Sequence, residues 1–233
     1  MHEPKRVQRA GREFWCGELH GQALVLALSR MGKVAAATTA TALIESFGVD
    51  QIIFTGVAGG VGSGVRVGDV VVADAFVQHD LDVTPLFPKY VVPLYGKSRF
   101  ACDPALSKHL LLACQAVFSG TAVTAQAAAD WSEARVHQGL IATGDRFVSA
   151  AQEARRLLDD LSAAQLRPLA VEMEGAAVAQ VCFDYGIAFA AMRTISDRAD
   201  DQAHVDFPKF VAEVASRYAL AIMSELVHRL AGK

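Results

Sequence analysis

The chain is poor in features that would assign it to a class at sight. Its four cysteines, Cys16, Cys102, Cys114 and Cys182, form no CxxC pair among 233 residues. That excludes a zinc ribbon or a thioredoxin-type motif, and free thiols in a reducing cytosol are the expectation. There is no surplus of positive charge. Twenty-two Lys and Arg stand against 25 Asp and Glu, a formal net charge of −3, and the basic residues are scattered. Such a chain has no electrostatic footprint for nucleic acid. No apolar run is long enough to span a bilayer. The basic start, Met1-His2-Glu3-Pro4-Lys5-Arg6, has no apolar stretch behind it and does not read as a secretory signal. Neither GxGxxG nor GxxxxGK[ST] occurs, so the glycines supply no dinucleotide or phosphate loop. A cytoplasmic protein working without membrane, nucleic acid or cofactor is expected.

What is present is ordinary core material: 52% hydrophobic and 20% charged residues, enough for one domain over 1–233. Phe14 to Leu19 and Ala23 to Leu28 alternate like the arms of a hairpin, with Gly21 near the turn. A helical run follows from Gly32-Lys33 to Ser46, with Gly48 as its stop. Gln51 to Thr55 reads as a short buried strand, Gly56 to Gly64 as a glycine loop, and Val70 to Ala73 as another strand. Three prolines make Pro85 to Arg99 irregular. Further helices are expected at Cys102 to Phe118, Ala150 to Leu161, Glu174 to Tyr185 and Phe207 to Leu230. Further strands are expected at Ala122 to Ala127, Leu140 to Thr143, Pro168 to Glu172 and Ile187 to Ile195. Strands alternating with helices predict a three-layer α/β/α domain around a mixed, twisted sheet.

In open α/β sheets, ligands bind beyond the carboxyl ends of strands. Three segments stand there: Thr55 to Gly60, Glu172-Met173-Glu174, and Arg193 to Asp197. The glycines read equally as a tight turn or as a place of close backbone approach. Two carboxylates flanking Met173 exceed what a helix N-terminus needs, since one acid suffices for the dipole. Asp197 reads either as a helix N-cap or as a site acid. His79, Asp80 and Asp82 are an incomplete ligand set, and no metal is expected.

Seven stretches in order resemble a known family: Met31 to Ala36, Thr55 to Gly60, Val67 to Val70, His79 to Thr84, Thr143 to Phe147, Val171 to Glu174, and Arg193 to Asp197. They are similar to the nucleosidases that cleave methylthioadenosine and S-adenosylhomocysteine, within the purine nucleoside phosphorylase superfamily. The resemblance implies hydrolysis of the N-glycosidic bond, releasing adenine and the thioribose. It implies that Asp197 protonates N7 of adenine and that Ser196 helps hold it. Glu174 would bind the ribose hydroxyls, with Met173 beneath the ribose. Phe147 would stack on adenine, the backbone of Val148 would read the base, and Phe207 would wall the 5′ substituent. Met31, Val57, Ala58, Gly59 and Glu172 fall in the matching stretches and are expected to line the same pocket. A two-fold homodimer is the expected assembly, supported by the apolar face around Val34 to Leu43.

The chain departs from the pattern in four places. The family's opening apolar strand and acidic run, which holds the glutamate activating the attacking water, has no counterpart. Glu3 lies too close to the hairpin to match it, and Pro4 restricts the backbone there. Weak hydrolysis and measurable adenine binding are therefore expected. The absent strand would leave an apolar sheet edge exposed. Val57 replaces a frequent serine. Arg30 replaces a glycine and could meet an anion, which keeps phosphorolysis or another purine nucleoside as the alternative. The Pro85 to Arg99 segment differs from the usual loop.

Overall fold

The computed structural model describes residues 1–123, 134–199, 210 and 214–232. Strands β2 (Arg12–Leu19) and β3 (Gln22–Ala27) form the expected hairpin. A third strand precedes them: β1 (His2–Arg9) pairs antiparallel with β2, placing Val7 opposite Phe14. No element is expected there from the sequence. Pro4 falls where the register shifts between His2 and Lys5, a place where a missing N–H is tolerated.

The main sheet contains β4 (Gln51–Gly60), β5 (Val70–Gln78), β6 (Arg99–Ala101), β7 (Val136–Thr143), β8 (Ala170–Glu172) and β9 (Ala188–Asp197). Its order is β6-β5-β7-β8-β4-β9, and β5 also pairs with β9, so five strands close on themselves. The pairs β4–β9, β5–β7 and β7–β8 are parallel, whereas β4–β8, β5–β6 and β5–β9 are antiparallel. The mixed sheet is thus as expected. β4 corrects the expected glycine loop: Gly56 to Gly60 continue the strand, because β9 runs parallel beside Gly56 to Gly59 and β8 pairs antiparallel with Gly59 and Gly60. Along Gln51 to Ala58 the other edge of β4 has no strand partner among the described residues, nor has the outer edge of β3.

Helices α1 (Lys33–Phe47), α2 (Pro104–Phe118), α3 (Ala151–Ala163), α4 (Gly175–Tyr185) and α5 (Ser216–Ala231) match the expected ones to within a few residues at every end that the described residues reach. The sheet sits between two helical layers. On β5, Val71 and Ala73 face the core shared with α1 and α4, while Val70 and Val72 face α2 and α5. On β9, Phe189 and Ala191 point one way, Ala190 and Met192 the other. This period-two alternation, buried on both faces, is why these strands read as continuous apolar runs. α2 starts where Asp103 accepts Leu106 N–H at 2.7 Å with a proline at its first turn. Residues 124–127 of the strand expected at Ala122 to Ala127, residues 207–209 and 211–213 of the last expected helix, and hence Phe207, lie outside the described residues. No described helix is long and apolar enough to cross a membrane.

All four cysteines are free thiols. Burial pushes Cys102, Cys114 and Cys182 up to about 12, so these three stay protonated and unreactive at neutral pH.

Candidate active site

A cleft opens at the carboxyl ends of β4, β8 and β9. It is lined by Met31, Val57, Ala58, Gly59, Arg146, Phe147, Val148, Val171, Glu172, Met173, Glu174, Ser196 and Asp197. Eleven expected site residues therefore meet in one place from five separate stretches of chain. Arg146 and Val171 were not expected as lining, although each lies within or beside a matching stretch.

The floor is built by crowding. Asp197 ends β9 and caps no described helix, so the N-cap reading gives way to a strand-end acid. Its Oδ2 accepts the Ser196 hydroxyl at 2.8 Å, and its Oδ1 accepts the Ala199 N–H at 2.8 Å. Gly59 on β4 is required beside it: a Cβ there would lie 2.9 Å from Asp197 Oδ1 and 3.0 Å from Ala199 Cβ. The glycines of β4 thus let a carboxylate approach the backbone.

The two glutamates divide their work. Glu172, at the end of β8, accepts the N–H of Gly175 at 2.8 and 3.0 Å and that of Glu174 at 3.1 Å, capping α4. It also accepts the Thr143 hydroxyl and Arg193 Nη2, the latter at 2.8 Å. Both members of the Glu172–Arg193 pair are buried, at 2% and 1% side-chain exposure. The Arg193 guanidinium donates further to the carbonyls of Met192 and Phe54 and stacks over the Phe54 ring at 4.2 Å. Glu174 is the N-cap residue of α4, yet its side chain caps nothing. Its Oε1 accepts Gly32 N–H at 2.8 Å, across the cleft. Burial, and the Glu172 charge after it, raise the Glu174 pKa above the ordinary carboxylate value.

The rim is more open. Val148 is buried, while Phe147 and Met31 are 43% and 69% exposed. Arg146 pairs with Glu153 at 2.7 Å. Arg30 does not line the cleft; its Nη2 donates to the Gly11 carbonyl.

Fold and cleft together define a protein of the nucleoside phosphorylase kind, and the sequence model of the phosphorylase superfamily matches residues 2–228. The chain is 33% identical over 229 residues to the 5′-methylthioadenosine/S-adenosylhomocysteine nucleosidase of Shewanella halifaxensis, covering 97% of this chain and 90% of that one. It is 35% identical to the nucleosidase of the same name from Mycobacterium tuberculosis, covering 95% and 88%. The crystal structure of the Neisseria meningitidis nucleosidase in complex with methylthio-immucillin-A superposes with a TM-score of 0.85 at 35% identity, covering 98% of this chain and 91% of that one. The chain belongs to the 5′-methylthioadenosine/S-adenosylhomocysteine nucleosidase family of the phosphorylase superfamily.

Proposed function

We propose that the chain hydrolyses the N-glycosidic bond of 5′-methylthioadenosine and S-adenosylhomocysteine, releasing adenine and the thioribose. The observation that carries this is a pair of carboxylates with different partners in one cleft. Asp197 is held from the strand end, and Glu174 is held from across the opening.

Adenine leaves poorly as an anion. A proton delivered by Asp197 to N7 lets it leave neutral, and the Ser196 hydroxyl sets the carboxyl's orientation. As the bond breaks, the sugar becomes cation-like, as in glycoside hydrolysis generally. The Glu174 carboxylate then stabilises that charge and accepts hydrogen bonds from the ribose hydroxyls. Phe147 stacks on the base, Val148 contributes its backbone, and Met173, Met31, Val57, Ala58 and Gly59 enclose the nucleoside. We assign Phe207 to the wall around the 5′ substituent on the family resemblance alone. Glu172 lines the cleft but already accepts five hydrogen bonds, so its carboxylate is committed to fixing Glu174 and Arg193 rather than to holding substrate. Among the described residues, the lining holds no fourth carboxylate to activate water.

The reading further takes residues 1–233 as one cytoplasmic domain that pairs as a homodimer. Val34, Ala37, Thr38, Thr41 and Ala42 on the outer face of α1 make a shallow groove of small side chains suited to a two-fold contact.

The test is adenine release from methylthioadenosine, measured with and without phosphate. Phosphate-independent release supports hydrolysis. Release only with phosphate, or none above buffer, would overturn it.

A further inference from the structure

Three side chains outside the cleft lining tie its two walls together. Lys33 opens α1, Asp80 follows β5, and Asp145 follows β7. Lys33 Nζ donates to Asp80 Oδ1 at 2.7 Å and to Gln78 Oε1 at 3.2 Å, and lies 3.9 Å from Asp145 Oδ2. The Lys33 backbone N–H donates to Asp145 Oδ1 at 2.7 Å, and the Asp145 N–H donates to Asp80 Oδ2 at 2.9 Å. Within this ring of three residues every acceptor is a carboxylate oxygen, and two of the donors are main-chain groups that cannot rotate away.

Each bond has a consequence for the cleft. Gly32, next to Lys33, gives its N–H to Glu174. Met31 stands beside Gly32, and Arg146, Phe147 and Val148 come directly after Asp145. Below the ring, His79 is packed so closely on Gly144 that a Cβ there would lie 2.3 Å from its ring. The His79 backbone N–H donates to the Thr143 carbonyl at 2.8 Å. Burial pushes the His79 pKa down, so the ring stays neutral and adds no charge to the cluster. Burial would push the Asp80 carboxyl up, but the bonds from Lys33 and the Asp145 N–H outweigh it and hold it below its usual range.

Resting on the nucleosidase reading, we propose that Lys33, Asp80 and Asp145 form a positioning latch that sets the span between the ribose-side wall at Gly32 and Glu174 and the base-side wall at Phe147 and Val148. Exposed ion pairs alone contribute little. This one acts by fixing two backbone segments in mutual register. A preformed span favours a ligand that touches both walls at once, because less ordering is lost on binding. It does nothing for a ligand that touches one wall. The latch is thus a selector for intact nucleoside over free base.

Calorimetry tests this with two probes, adenine and the 9-deaza C-nucleoside of methylthioadenosine, whose glycosidic carbon–carbon bond cannot be hydrolysed. In Asp80→Asn the side chain can no longer accept from both Lys33 and Asp145. The expected result is at least ~10-fold weaker binding of the C-nucleoside with adenine within ~2-fold of the unmodified protein, the pattern of lost preorganisation. Lys33→Met should show the same split, and Lys33→Arg should recover most of it. These replacements sit at a half-open site, so they remain informative if Asp80→Asn does not fold. Equal losses for both probes, or no loss for either, would overturn the latch while leaving the nucleosidase reading standing. If the unmodified protein binds neither probe, the nucleosidase reading fails and the latch fails with it.

Discussion

The floor and the rim of the cleft are organised by different physics. On the floor, Glu172, Arg193, Ser196 and Asp197 are all buried, and strands β8 and β9 present them to one another through hydrogen bonds. On the rim, Met31 and Phe147 are open to solvent, and the segments that carry them are tied by the half-exposed set Lys33, Asp80 and Asp145. Buried polar groups leave no tolerance for a missing partner, since each loss strands a desolvated group. Rim bonds compete with water and can be lost one at a time. The floor should therefore fail all at once, and the rim by degrees.

The largest effect is expected from Glu172→Ala. It leaves the Arg193 guanidinium buried without its carboxylate and removes the cap of α4. Breaking such a pair from one side costs about 3–5 kcal/mol. Denaturant unfolding should show that loss, with adenine binding lost at the same time. A stability change under about 1 kcal/mol would place Glu172 on the rim side of the comparison.

Asp197→Asn keeps the shape of the floor and removes the group proposed to deliver a proton to N7. Adenine release is expected to fall by about 10²–10⁴-fold, the range of positioned acid catalysis, with little change in melting temperature. Turnover equal to the unmodified protein would remove Asp197 from the mechanism.

Glu174→Gln separates activity from stability. kcat/KM is expected to drop about 10²-fold or more through loss of one preorganised charge. Stability should move the other way. A carboxyl whose pKa rises on folding adds stability only below its unfolded pKa, and that contribution is lost as pH climbs through the folded value. At neutral pH the buried charge of Glu174 is therefore a burden, and the glutamine should melt higher. The difference should close as pH falls below the ordinary carboxylate range. A lower melting temperature for Glu174→Gln at neutral pH would show that its bond to Gly32 outweighs its burial.

The smallest effect is expected at the rim itself. Phe147→Ala removes an open stacking face and should weaken adenine binding by about 10-fold, on the scale of one base–aromatic contact. Unfolding free energy should stay within about 0.5 kcal/mol, as at other surface positions.

Much of this architecture is legible in the order of residues. The apolar runs of β5 and β9 and the helix stop at Gly48 are local signals, and each marks its element, although β5 continues from Ala73 to Gln78 and β9 from Ile195 to Asp197, beyond the runs the sequence predicts. Gly56 to Gly60 mislead because glycine usually marks a turn. Here Asp197 beside Gly59 and Ile195 beside Gly60 leave space only for backbone, so the glycines serve close approach and the strand continues. β1 escapes a reading of the sequence because its pairing with β2 depends on a partner segment rather than on a strong alternating pattern of its own. The Asp80 bonds to Lys33 and to the Asp145 N–H join residues 47 and 65 apart in the chain, a distance at which no spacing rule operates.

By itself, the order of amino acids determined where most strands and helices alternate and that carboxylates stand at strand ends, which follow from local propensity and side-chain chemistry. The adenine nucleoside as ligand came from the resemblance of the seven ordered stretches to a known family. Only the tertiary structure decided what each carboxylate does. Glu172 and Glu174 are two residues apart and chemically identical. One is surrounded by Arg193, Thr143 and the N-terminus of α4, and the other reaches across to Gly32. Which of them is used up by the fold and which remains for a substrate depends on partners brought from distant parts of the chain.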